Sequence, residues 1–186
     1  MRATQARAQH EGADAVGLIV ALLERFPQIA TLVSHPSDGT LTLSFVVSKR
    51  LDKVVQAEVG DAILDHVRAF AAAGGETTEV VEVACEADDR MTFVRVVRDA
   101  GSLAREELQM LTGLLKERFG ELLVESAPAS DEAFEDDVAA QDDLVEFALE
   151  SLRDPAHSRS LLGFREEKRV MVYFVSSRKK PKARAR

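Results

Sequence analysis

The sequence predicts an α+β fold, and three observations predict it. Residues 79–98 hold two runs rich in β-branched and apolar residues around the polar segment 86–90, the mark of a hairpin. A long helical pattern precedes this hairpin and another follows it, and a further strand pattern lies outside each helix. Residues 40–125 therefore read β-α-β-β-α-β.

In order along the chain, residues 1–12 are small and polar without periodicity, which predicts a frayed arm. From Asp14, a plausible N-cap, Val16, Ile19, Val20 and Leu23 recur at helical spacing until Pro27 stops the pattern. Residues 29–34 and 40–47 flank His35-Pro-Ser-Asp-Gly39, whose Pro, Asp and Gly suit a turn, so a hairpin is expected. In its second strand Leu41, Leu43, Phe45 and Val47 share the core face.

Residues 51–73 form the next helix, with Val55, Val59, Ile63, Val67 and Phe70 on one stripe and Gly74-Gly75 as its end. After the central hairpin, Ser102 is expected to cap a helix built on Leu108, Leu111, Leu115 and Phe119, closed by Gly120. Residues 121–125 supply the last strand of the unit.

Beyond the linker 126–130, Phe134, Val138, Val145, Leu149 and Leu152 mark a helix over about residues 131–153, ended by Pro155. Residues 161–164 and 170–175 make a final hairpin, and residues 177–186 form a basic tail expected to be disordered. The expected organisation is an arm at 1–12, a core at 13–126, an acidic helix with a hairpin packed on the core at 127–176, and the tail at 177–186. The whole is a ferredoxin-like β-α-β-β-α-β unit with helix-hairpin extensions at both ends.

The two extensions resemble each other. Laid without gaps on residues 143–179, residues 14–50 place Val16 on Val145, Val20 on Leu149, Leu41 on Val170, and Phe45-Val46 on Phe174-Val175. Both segments are a helix and then a hairpin, the pattern an internal duplication leaves, although shared structure alone produces such matches too.

Composition narrows the class. The 186 residues are 46% hydrophobic and 30% charged, as in soluble globular proteins. The apolar runs are far shorter than the roughly 20 residues a membrane span needs. No apolar export segment follows the basic N-terminus, and a single cysteine, Cys85, allows no internal disulfide, so a cytoplasmic setting is expected. The formal net charge of −8 opposes non-specific binding to nucleic acid or anionic membrane by the bulk surface.

No motif carries catalysis. His10, His35, His66 and His157 sit in unrelated contexts, without metal-ligand or phosphate-loop spacing, so no cofactor or metal is expected. In the alternation Val81, Val83, Cys85 the thiol falls on an apolar strand face, which predicts a packed and inert group. Two charge clusters are the candidate interaction residues. Asp136, Asp137, Asp142 and Asp143 belong to a stretch with no basic residue from Glu121 to Leu152. Arg178, Lys179, Lys180, Lys182, Arg184 and Arg186 form the tail, with Arg169 upstream. The acids suit a solvated helix face or an electrostatic dock.

Cut as α-ββ-α-ββ-α over residues 14–119, the element order is similar to that of secretion-chaperone and YbjN-like proteins, small cytoplasmic dimers that bind other proteins. It departs from them in lacking a third strand before the second helix. The expected function is accordingly a non-enzymatic protein-binding module, adaptor- or chaperone-like and homo-oligomeric. Self-association is expected because the central strands are apolar on both faces, with Met91, Phe93 and Val97 on one and Val94 and Val96 on the other. The alternative is nucleic-acid binding through the basic tail. β-α-β-β-α-β is also the topology of the RNA recognition motif, but the strand 91–97 lacks that family's Gly-aromatic pattern.

Overall fold

The computed structural model describes residues 16–17, 19–75, 77–126, 135–152, 159–166 and 169–175. Asp14, the N-terminal arm and residues 176–186 lie outside them. Helix α1, described over residues 19–25, leads into β1 (Thr31–His35) and β2 (Thr40–Val47). Then follow α2 (Lys53–Gly74), β3 (Val81–Ala87), β4 (Thr92–Asp99) and α3 (Arg105–Phe119), a 3-10 turn at Gly120–Leu122, α4 (Glu135–Leu152), β5 (Ser160–Glu166) and β6 (Arg169–Val175). The strands form one six-stranded sheet in the order β3-β4-β2-β1-β5-β6, every neighbouring pair antiparallel.

Local chemistry sets the ends of these elements. Asp52 caps α2 by accepting from the Val55 N–H at 2.9 Å, and Gly75 closes it in the left-handed conformation (φ 71) that suits glycine. Gly39, at φ 62, makes the β1–β2 turn possible.

Strand parity divides the sheet. Leu41, Leu43, Phe45 and Val47 of β2, Val94 and Val96 of β4, Leu32 of β1 and Leu161 of β5 all point to one side and are buried. They join one core with Ile19, Leu22 and Leu23 of α1, Val59, Ile63 and Val67 of α2, Leu108, Leu111 and Leu115 of α3, and Val145 and Leu149 of α4. Of the expected core stripes, Val59, Ile63 and Val67 of α2 and Leu108, Leu111 and Leu115 of α3 are buried, while Val55, Phe70 and Phe119 are only partly buried. No described helix packs on the opposite face. α1 lies unusually close to β5, because a Cβ at Gly163 would collide with Ile19 Cγ2.

Two expectations are corrected. Residues 121–125 are not a strand: Gly120–Leu122 form the 3-10 turn, and only Leu123 bridges to Val47. The reason is competition for the edge of β2. β1 pairs with Thr40–Ser44, leaving only Val46–Ser48 to bond residues 122–124. The sheet is therefore not completed as a β-α-β-β-α-β unit. Ser102 does not cap α3 either; the N-cap is Ala104, without a side-chain bond, while Ser102 is engaged by Asp99 and Arg98.

The terminal hairpins do not lie over the central strands. β1 pairs directly with β5, from Thr31↔Phe164 to Ser34↔Leu161, so both extensions widen one sheet edge to edge. Moreover, β5 begins 129 positions after β1 and β6 begins 129 positions after β2, the offset of the gapless alignment. The register honours it: Leu32 faces Gly163, and their equivalents Leu161 and Ser34 face each other. The two hairpins are related by a local two-fold between β1 and β5.

Candidate functional site

The side of the sheet turned away from the described helices is one candidate surface. Register places Glu82 and Glu86 of β3, Phe93 and Arg95 of β4, and Thr42, Ser44 and Val46 of β2 on it. Toward β6 the row becomes apolar, with Val33, Leu162, Phe164, Met171, Tyr173 and Val175. Phe164 and Tyr173 stack across the β5–β6 hairpin, with ring centroids 5.8 Å apart and planes 10° apart. Tyr173 remains 49% exposed, Val175 40% and Phe93 37%, so a large apolar area meets solvent. The face thus runs from a charged margin at β3, where Arg95 pairs with Glu86, to an aromatic and aliphatic end at β6.

A second feature lies at one end of the sheet, where the β1–β2 turn, the approach to β3 and the β4–α3 loop converge. They enclose a polar cleft of about 460 Å³ that includes His35, Asp38, Thr77, Glu79, Asp99 and Ser102. Its floor is braced by a buried charge network. Arg98 is fully buried on the helix side of β4 and binds Glu107 of α3 through two bonds, Nε to Oε1 at 2.6 Å and NH2 to Oε2 at 2.9 Å. Its NH1 donates to the Val80 carbonyl at 2.9 Å and to Asp99, and its NH2 to the Ser102 hydroxyl at 3.1 Å. Asp99 also accepts from the Val80 N–H at 3.0 Å, the Ser102 N–H at 3.1 Å and the Ser102 hydroxyl.

Burial alone would lower the Arg98 pKa, but Glu107 and Asp99 raise it above the ordinary value and keep the guanidinium charged. Burial alone would raise the Asp99 pKa; the bonds from Ser102 and Val80 and the Arg98 charge outweigh it and hold the carboxyl low. Asp99 and Ser102 share the cleft with His35, yet the Ser102 hydroxyl is spent on Asp99, so the trio is a brace for the loop. Sequence reasoning missed this network. The signal that pointed toward it was an arginine at the inward parity of a strand otherwise reading Thr92, Val94, Val96.

Of the expected interaction residues, Asp142 is half-buried and accepts from Arg25 Nε at 2.6 Å and Arg105 NH1 at 2.9 Å, tying α4 to α1 and α3. Asp143 is exposed on α4. Asp136 and Asp137 fall on the described backbone of α4, but their side chains, like Arg178, Lys179, Lys180, Lys182, Arg184 and Arg186, lie outside the described residues. His66 bonds the Ala62 carbonyl at 2.7 Å on α2, and His10 and His157 lie outside the described residues. Among the described residues no three His, Cys, Asp or Glu side chains converge as metal ligands. No described helix is long and apolar enough to cross a membrane.

Cys85 faces α2 beside Lys53 and Gly60, partly packed against the core, and burial raises its thiol pKa against the opposing charge of Lys53. The described residues define an α+β protein with a six-stranded antiparallel sheet, whose described helices pack on one face and leave the second without a helix layer. Comparison with protein-family models, curated proteins and solved structures finds no match.

Proposed function

We propose that this chain is a non-enzymatic protein-binding module, adaptor- or chaperone-like and homo-oligomeric, that holds a polypeptide against the uncovered sheet face. The observation that carries the reading is that face, apolar from β1 to β6 and without a second layer among the described residues. Six strands at about 4.8 Å spacing and roughly 24 Å long offer on the order of 700 Å², near the ~800 Å² per partner of a stable protein interface. Glu82 and Glu86 at its β3 margin and the net charge of −8 favour a partner whose apolar side chains are rimmed by basic ones. They disfavour a nucleic acid on the same face.

Two finer points belong to the same reading. The order β3-β4-β2 with α2 between β2 and β3 is the first part of a ferredoxin-like unit, which supports that kinship for residues 40–119. The single cysteine supports a cytoplasmic setting.

The test compares the full chain with Phe93→Arg and Phe164→Arg, each checked for fold by circular dichroism, in pull-downs from native lysate with and without nuclease. A defined polypeptide held by the wild type in nuclease-treated lysate, and released by either substitution, is the expected result. Retention by both variants, or capture that vanishes with nuclease, overturns it.

A further inference from the structure

We infer that the free edge of β6 is a self-association edge, at which β6 pairs antiparallel with β6 of a second copy about a two-fold axis through Val172.

The two edges of the sheet are built differently. On the open face β3 presents Glu82 and Glu86 around Ala84, and α2 packs against its other side, so charge and a helix guard that edge. β6 reads Arg-Val-Met-Val-Tyr-Phe-Val, apolar at every position after Arg169 and without proline. Val170, Val172 and Phe174 face the helix side, and Met171, Tyr173 and Val175 the open side. A strand apolar on both faces is built for the interior of a sheet. Yet Tyr173, Phe174 and Val175 are all exposed, Phe174 with the Arg159 guanidinium over its ring at 5.5 Å.

The internal two-fold indicates what such a strand takes. β6 is the equivalent of β2, whose edge away from β1 receives β4 antiparallel over eight residue pairs, Thr40↔Asp99 to Val47↔Thr92. No strand among the described residues occupies the matching edge of β6. The sequence of β6 is complementary to itself in that orientation. With Val172 on the axis, Val170 lies opposite Phe174 of the second copy on the helix side, and Met171 opposite Tyr173 on the open side. Arg169 lies opposite Val175, so no like charges meet. Closure on a two-fold leaves no further free β6 edge, which makes a dimer of one continuous twelve-stranded sheet.

This pairing specifies the self-association proposed above and leaves the open face free for the polypeptide partner. The full chain is measured by light scattering across micromolar concentrations, beside Tyr173→Glu, which sets carboxylates within the paired strands at a position already exposed. The expected result is a dimer whose Kd rises at least ~10-fold in Tyr173→Glu while its circular dichroism is unchanged. Val172→Cys provides a second reading that does not rest on a destabilising change. Facing strand residues sit about 4.5–5.5 Å apart at Cα, inside the span a disulfide bridges, so mild oxidation should link two chains through position 172. The wild type, whose Cys85 lies on the opposite edge, should not link. A dimer insensitive to Tyr173→Glu, with no Val172→Cys link, overturns the β6 edge but keeps the homo-oligomer. A monomer mass overturns both, and a wild type that dimerises but holds no polypeptide overturns only the open-face dock.

Discussion

Val33 on β1 lies directly opposite Leu162 on β5, and the two are equivalent positions of the two helix-hairpin segments, 129 residues apart. The centre of the local two-fold therefore falls on this one pair. Each hairpin covers the edge that the other would expose, which is why two short hairpins, each marginal alone, are stable side by side.

Gly163 shows how close the helix layer comes at this junction. Its missing Cβ is the space filled by Ile19 Cγ2, with Leu23 Cδ1 at 3.0 Å. Gly163→Ala should destabilise the chain by roughly 1–3 kcal/mol through overpacking, read as a lowered urea midpoint with unchanged slope. Trimming the neighbour in Ile19→Ala/Gly163→Ala should recover part of the loss.

The Arg98–Glu107 pair makes an opposite kind of demand. Glu107→Ala strips a fully buried guanidinium of its bidentate partner and should cost about 3–5 kcal/mol, because the charge stays buried with only Asp99 to balance it. Replacing both partners in Arg98→Met/Glu107→Leu should cost much less than the two single substitutions added together, as a double-mutant cycle in urea would record.

Asp99 gives stability a pH dependence of definite sign. Its folded-state pKa lies below the unfolded value of about 3.9, so its contribution is complete above that value and is lost as pH falls through the folded one. Acid titration of the wild type should show added destabilisation below about pH 4, and Asp99→Asn should lack that component while being less stable at neutral pH. Equal slopes for the two chains in this range would count against the assignment.

Cys85 should react slowly with thiol reagents at neutral pH, since burial holds its thiol protonated. Cys85→Ala should cost on the order of 1 kcal/mol and leave self-association intact, because β3 and β6 are opposite edges of the sheet. Rapid native-state modification would place the thiol elsewhere.

Much of the architecture was legible in the residues. The period-two runs at 40–47, 81–87 and 92–99 and the 3.6-period stripes of α2 and α3 name both the elements and their buried faces, since each is written in neighbouring side chains. The match of residues 14–50 to 143–179 likewise foretold two equivalent hairpins. The candidate site was less legible. The acids singled out as an interaction cluster include Asp142, which the fold spends on Arg25 and Arg105, while the buried brace around Arg98 passed unnoticed.

What the sequence by itself determined is most of the local elements, their polarity and the common helix-then-hairpin order of the two terminal segments. Only the tertiary structure decided that β1, and not residues 121–125, takes the edge of β2, that the two hairpins join through Val33 and Leu162, and that the described helices all pack on one sheet face. The physical reason is range. Periodicity and capping act within a few residues, whereas strand neighbours are chosen by competition among edges distant in the chain, and here the five-residue pairing of β1 with β2 confines residues 121–125 to the single bridge of Leu123 with Val47.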